Sequence, residues 1–153
     1  SGDVAARARL ADAVLSGPGG KVAAAARDSG GSTPLHAALR SYNGLDRTTR
    51  SRLATRLLRA YPAGAGAVNQ AGLRPLHVAC RGCRVTPKCL RKIAKACPEA
   101  AGARDPGGML PVHAAVRYGC SPQAFEVLRE AYPEGVRERV TGDGEGDGDG
   151  ESV

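Results

Sequence analysis

The side chains with the widest chemical reach in this chain are three histidines and five cysteines. Their spacing separates catalysis from metal binding and from packing. All three histidines fall in one recurring pattern, G-x-x-P-[LV]-H-x-A. The copies run from Gly31 to Ala38, from Gly72 to Ala79 and from Gly108 to Ala115, and the histidines stand 41 and then 36 residues apart. Histidine is the usual proton carrier near neutral pH, but every one here belongs to the repeat and none is left for a separate acid-base centre. No nucleophile is paired with a base, no glycine-rich loop precedes a lysine, and no paired acids stand out, so no catalysis is expected.

The cysteines allow a metal reading, because His77-x2-Cys80-x2-Cys83 is followed by Cys89 and Cys97, and zinc takes such ligands. Alignment of the copies opposes it. Cys80 falls in a small slot after the motif's alanine, Cys89 aligns with Leu53, Cys97 with Tyr61, and Cys83 with Cys120 after a glycine. Each therefore has a packing role, and neither a metal nor another cofactor is expected. An odd number of cysteines, four crowded in one stretch and Cys120 apart, is not the pattern of a secreted disulfide framework, so a reducing, intracellular setting is expected, cytoplasm and nucleus not being distinguished. In the tail, Asp143, Glu145 and Asp147 resemble the opening of a calcium loop, but the closing glutamate is missing.

Charge adds a second theme. The net charge is +7, yet the five acids between Asp143 and Glu151 mask a body, residues 1 to 142, at +12. No acid occurs between Asp46 and Glu99, where twelve arginines and lysines lie. That region should project a positive potential. A gene rich in Ala, Gly, Arg and Pro codons would produce the same bias, as eighteen arginines against four lysines suggest. The longest apolar run, Val22 to Ala26, falls far short of the roughly 20 residues that span a bilayer, so a soluble chain is expected. Ser1 in place of methionine suggests a piece of a longer protein.

The elements that must position these side chains follow from the same repeat. Pro34, Pro75 and Pro111 each suit the first position of a helix, where φ is already set and the missing amide would have been unpaired. Thr33 can cap the first of these helices, whereas Arg74 and Leu110 hold that place in the others, where a missing cap costs about 1 kcal/mol. A second amphipathic stretch follows each motif: Leu53, Leu57 and Leu58, then Leu90, Ile93 and Ala94, then Phe125 and Leu128. These stretches stop at Ala60-Tyr61-Pro62, Ala96-Cys97-Pro98 and Ala131-Tyr132-Pro133, because a proline cannot continue the ladder. Pro62 to His77 and Pro98 to His113 both cover 15 residues, so the intervening loops should share a shape.

Helix, turn, helix and a return loop through D-x-x-G-x-[T]-P-L-H resemble the ankyrin repeat. The loop element runs from Asp28 to Pro34, Asn69 to Pro75 and Asp105 to Pro111. The threonine survives once, and Ala-Tyr-Pro stands where the common pattern has Gly-Ala-Asp, which marks a divergent branch. The resemblance implies an all-α helix-turn-helix solenoid within residues 1–140, with repeats near 28–62, 69–98 and 105–133 and a partial leading helix at 3–15. A longer turn is expected at Tyr42-Asn43-Gly44. Residues 141–153, an acidic glycine-rich tail, should be disordered. The motif residues Pro34, His36, Pro75, His77, Pro111 and His113 are then structural, the imidazoles bonding neighbouring loop backbone.

The resemblance also implies a function, that of an intracellular scaffold or adaptor binding another protein on its inner surface. Arg40, Arg81 and Arg117 each lie four residues after a motif histidine, on the side where family members contact partners. Such a ladder suits an acidic surface. Gln70, Leu73, Met109 and Tyr118 are neighbouring contact candidates, with Leu73 and Met109 as apolar loop-tip anchors. A second basic face is expected on the outer helices, where Arg52, Arg56 and Arg59 align with Lys88, Lys92 and Lys95, and Gln123, Val127 and Glu130 interrupt it in the third copy. Both ladders also fit plain solvated faces. The alternative functions are an anion binder for nucleic acid or anionic membrane and a regulatory segment of a larger enzyme. One Phe, four Tyr and no Trp offer few platforms for single-stranded nucleic acid. No small-molecule substrate is expected.

Overall fold

The computed structural model describes residues 17–40 and 46–138. The stretch 3–15, the turn at Tyr42-Asn43-Gly44 and the acidic tail lie outside the described residues. What is described is all-helical, with no strand. Seven α-helices follow in order: α1 (Gly20–Ala25), α2 (Pro34–Leu39), α3 (Arg47–Ala60), α4 (Pro75–Gly82), α5 (Pro87–Ala96), α6 (Pro111–Arg117) and α7 (Pro122–Ala131). Short 3-10 turns at Pro62–Gly66, Pro98–Gly102 and Pro133–Val136 follow α3, α5 and α7. The stretch before Asp28, which aligns with these turns, forms α1 instead.

Proline opens α2, α4, α5, α6 and α7. The cap expected to be missing from α4 and α6 is partly replaced. No side chain of Arg74 or Leu110 caps its helix, but the motif histidine turns back, and its Nδ1 accepts the Arg74 amide at 3.3 Å and the Leu110 amide at 3.1 Å. In the first copy His36 does the same for Thr33 at 3.1 Å, and Thr33 Oγ1 accepts the His36 amide in return. The outer helices use side-chain caps: Asp46 on α3, Thr86 on α5 and Ser121 on α7.

The helices pack as pairs, α2 with α3, α4 with α5 and α6 with α7, and the pairs pack on one another so that α2, α4 and α6 form one row and α3, α5 and α7 a second. Leu35, Leu39, Leu57, Leu76, Leu90, Ile93, Leu110 and Leu128 fill the space between rows. Alanines at 38, 54, 79, 94, 115 and 124 are buried among them and let helices approach closely. Removing one such leucine to alanine costs about 2 to 5 kcal/mol. The tyrosines of Ala-Tyr-Pro close the turns. A Cβ at Gly102 would stand 3.3 Å from the Tyr132 ring, and one at Gly135 would meet Tyr132, Val112 and Leu110 together.

Two features of the fold were not expected. Arg50, on α3, is wholly buried, and its guanidinium donates to the Arg84 carbonyl at 3.3 Å, tying α3 to the turn ahead of α5. Cys83 and Cys120 form a disulfide, with Cα atoms 5.1 Å apart. This corrects the reading of Cys83 and Cys120 as packing residues: Cys80, Cys89 and Cys97 are free, but the other two join the turn after α4 to the turn after α6. The aligned Gly-Cys pairs carried the signal, because equivalent turns of stacked pairs lie side by side.

Reduction, or the double change Cys83→Ser and Cys120→Ser, is expected to lower unfolding free energy by up to about 4 kcal/mol, the chain-entropy value for a loop of this length. A denaturant midpoint measured with and without reductant checks this, and an unchanged midpoint would mean that the bridge contributes nothing.

Candidate interaction surface

The loops before α2, α4 and α6 are built alike. Asp28, Asn69 and Asp105 each use one side-chain oxygen to accept two backbone amides: Gly30 and Ser32, Ala71 and Leu73, Gly107 and Met109. Each loop then crosses itself through one glycine with positive φ, Gly31, Gly72 or Gly108, a conformation that a side chain disfavours. At Gly72 a Cβ would also come within 2.5 Å of Pro106 on the next loop. The loop tips touch directly, since the Gln70 amide donates to the Gly30 carbonyl at 2.9 Å.

Each motif histidine joins its pair to the following loop. Nε2 of His36 lies 3.0 Å from the Leu73 carbonyl, that of His77 2.9 Å from Ala103, and that of His113 2.8 Å from Glu138. A carbonyl can only accept, so Nε2 carries the proton and the bare Nδ1 takes the helix-start amide described above. Both nitrogens are engaged with backbone, as the repeat implied, and the rings do not converge. Burial foremost holds His36 and His77 below the ordinary histidine range, against the opposing pull of the carbonyls they bond.

The three arginines placed four residues after the histidines differ in setting. Arg81 forms an ion pair with Asp105 at 3.1 Å, its side chain 41% exposed while that of Asp105 is buried. Burial opposes ionisation of Asp105, but the Met109 amide and Arg81 together hold its carboxyl below the usual range. Asn69 occupies the equivalent place one loop earlier, and an amide offers Arg40 no charge. Arg40 donates instead to Ser32 Oγ at 2.7 Å, the same oxygen that accepts the Asn69 side-chain amide at 3.2 Å. Arg117 is exposed and has no hydrogen bond or ion pair among the described residues.

Arg40 and Arg81 line one depression of about 250 Å³ with Asn69, Ala71, Leu73, Val78 and Gly82. Arg117 does not line it. Gln70 and Tyr118 are exposed, as a contact role requires. Leu73 and Met109 are not free loop-tip anchors: both are partly buried and packed against the core, because the loop folds its apolar residue under the tip. Val116 was missed. It aligns with the buried Leu39 and Cys80, yet is 66% exposed, because α6 ends its row among the described residues.

On the outer row, Arg52, Arg56 and Arg59 of α3 and Lys88 and Lys92 of α5 line a groove of about 420 Å³ with Thr48, Ser51, Thr55, Thr86 and Cys89. Lys95 belongs elsewhere, beside Arg91, Val127 and Glu130 between α5 and α7. Burial pushes the Cys80 thiol up to about 12 and raises Cys89 as well, so neither is a thiolate near neutral pH. No cluster of His, Cys, Asp or Glu among the described residues could hold a metal ion, and none of the described helices is long and apolar enough to cross a membrane. No known family model matches the chain, and no curated protein matches it.

The depressed histidines carry a pH signature. Unfolded chains take up these protons near 6.5 while the folded rings resist them, so stability should be level above that pH and fall below it. The expected slope is at most about 1.4 kcal/mol per pH unit for each ring. Urea unfolding from about pH 8 down to about pH 5 measures it; constant stability across that window would contradict buried neutral imidazoles.

Proposed function

We propose that the chain is a divergent ankyrin-type repeat array, about three full repeats and a partial leading one, that binds an acidic segment of another protein without catalysis. The single observation that carries this reading is the Arg40–Arg81 depression, where the first guanidinium faces a neutral Asn69 and the second is only partly neutralised by Asp105. An incoming carboxylate would satisfy Arg40 better than the Ser32 hydroxyl does, because charge-assisted bonds are about twice as strong as neutral ones. Leu73 and Val78 on the floor add apolar contact beside the charge. The loops and inner helices are held by histidines whose nitrogens are already engaged, which suits a rigid, pre-formed surface better than a reaction centre. Gln70 and Tyr118 extend this surface, and Arg117 adds a further cation to it. An intracellular adaptor or scaffold is the setting that fits such a module.

The test uses the asymmetry between Asn69 and Asp105. Asn69→Asp should give Arg40 an internal partner, raise stability by up to about 1 kcal/mol, and weaken a captured acidic partner about tenfold, the weight of one charge-assisted contact. Arg40→Ala should weaken that partner comparably without the gain in stability. The partner is first captured from lysate with the wild-type chain and then titrated against both variants. Affinity unchanged in both would end this reading.

A further inference from the structure

We propose that the groove between α3 and α5 binds a small, soluble ligand that carries several phosphate groups on a hydroxylated, non-aromatic carbon frame. The site lies on the outer row and does not rest on the partner-binding reading of the inner depression. Arg52, Arg56 and Arg59 occupy one edge at intervals of four and three residues, and Lys88 and Lys92 the other. Seven residues of helix cover about 10 Å, and packed helix axes stand about 8 to 10 Å apart. The cations thus bracket a slot of similar length and width, and its volume of about 420 Å³ is that of a small-ligand site.

No carboxylate lines the slot. Arg52, Arg59, Lys88 and Lys92 form no ion pair among the described residues. The nearest acid in sequence, Asp46, is occupied in accepting the Thr48 and Thr49 amides. Like charges held this close repel one another, and a polyanion that enters relieves several repulsions at once. The recess is also lined with hydroxyls. Thr86 Oγ1 accepts the Cys89 amide, which leaves its own proton to donate. The floor is rigid: Ser51 and Cys89 are buried, and the Thr86 amide donates to Ser51 Oγ at 2.9 Å, locking the start of α5 against α3.

Other polyanions fit less well. No aromatic side chain lines the slot, so a nucleobase has nothing to stack on. The cation rows stop at α7, where Gln123, Val127 and Glu130 take the matching places, so a polynucleotide backbone would leave the positive track within two helices. Ser51 is buried at the floor of the slot, where a flat bilayer does not reach.

The test is calorimetric titration of the full chain with inositol hexakisphosphate, alongside inorganic sulfate, a single-stranded oligonucleotide and vesicles containing a phosphoinositide. Arg52→Gln with Lys92→Gln removes two charges from the slot, and Lys21→Gln with Arg137→Gln removes two exposed charges elsewhere. Circular dichroism confirms that all variants fold. The expected result is saturable one-to-one binding, weakened about tenfold or more by the slot pair and within about twofold of wild type for the control pair, since only the former loses charge-assisted bonds. Equal losses in the two variants, absence of saturable binding, or tighter binding of the oligonucleotide or vesicles than of the soluble probe would each overturn the proposal.

Discussion

The neutral imidazole that spans two helix pairs is the constraint on which the rest of this molecule depends. Each ring accepts an amide at the start of its own helix and donates to a carbonyl of the next loop. One side chain thus does locally what a capping residue does, and His36 and His77 also fix the loop that opens the neighbouring pair. Exchange for another side chain leaves at least one buried backbone group unsatisfied, which costs about 1 to 3 kcal/mol. The prolines before the rings, the glycines that cross the loops and the Asp or Asn side chains that tie them all keep the donor and acceptor in place.

Much of this was legible in the sequence because it repeats. Pro-Leu-His and Ala-Tyr-Pro marked where helices begin and end, and equal spacing announced equal loops. What repetition could not reveal was how corresponding residues diverge. Asn69 for Asp105 looks conservative, yet it removes the charge that Arg40 would pair with, and the bond moves to Ser32. Leu73 and Met109 occupy loop tips in sequence, but the loop turns them beneath itself. Arg50 reads as one more cation on a basic helix, yet it is buried with its guanidinium on the Arg84 carbonyl. Cys83 and Cys120 align with each other in the repeat, and the proximity of equivalent turns makes a bond where the alignment alone implies packing.

The two rows of helices carry positive charge in different ways. On the inner row Arg40 meets a hydroxyl and Arg81 a carboxylate, while Arg117 stands exposed, so the field there is graded along the stack. On the outer row between α3 and α5 the cations share a recess with hydroxyls and no acid. The difference arises because every return loop brings an Asp or Asn to the inner side, while the chain from Arg47 to Pro98 has no acid to place on the outer one.

Between the first two loop tips the Gln70 amide donates to the Gly30 carbonyl, backbone to backbone. The side chains of Gln70 and Ala71 are exposed beside that joint. Any change at these two positions other than to proline at Gln70 therefore leaves the backbone bond between the tips intact, so what the surface displays there is uncoupled from how the loops are joined.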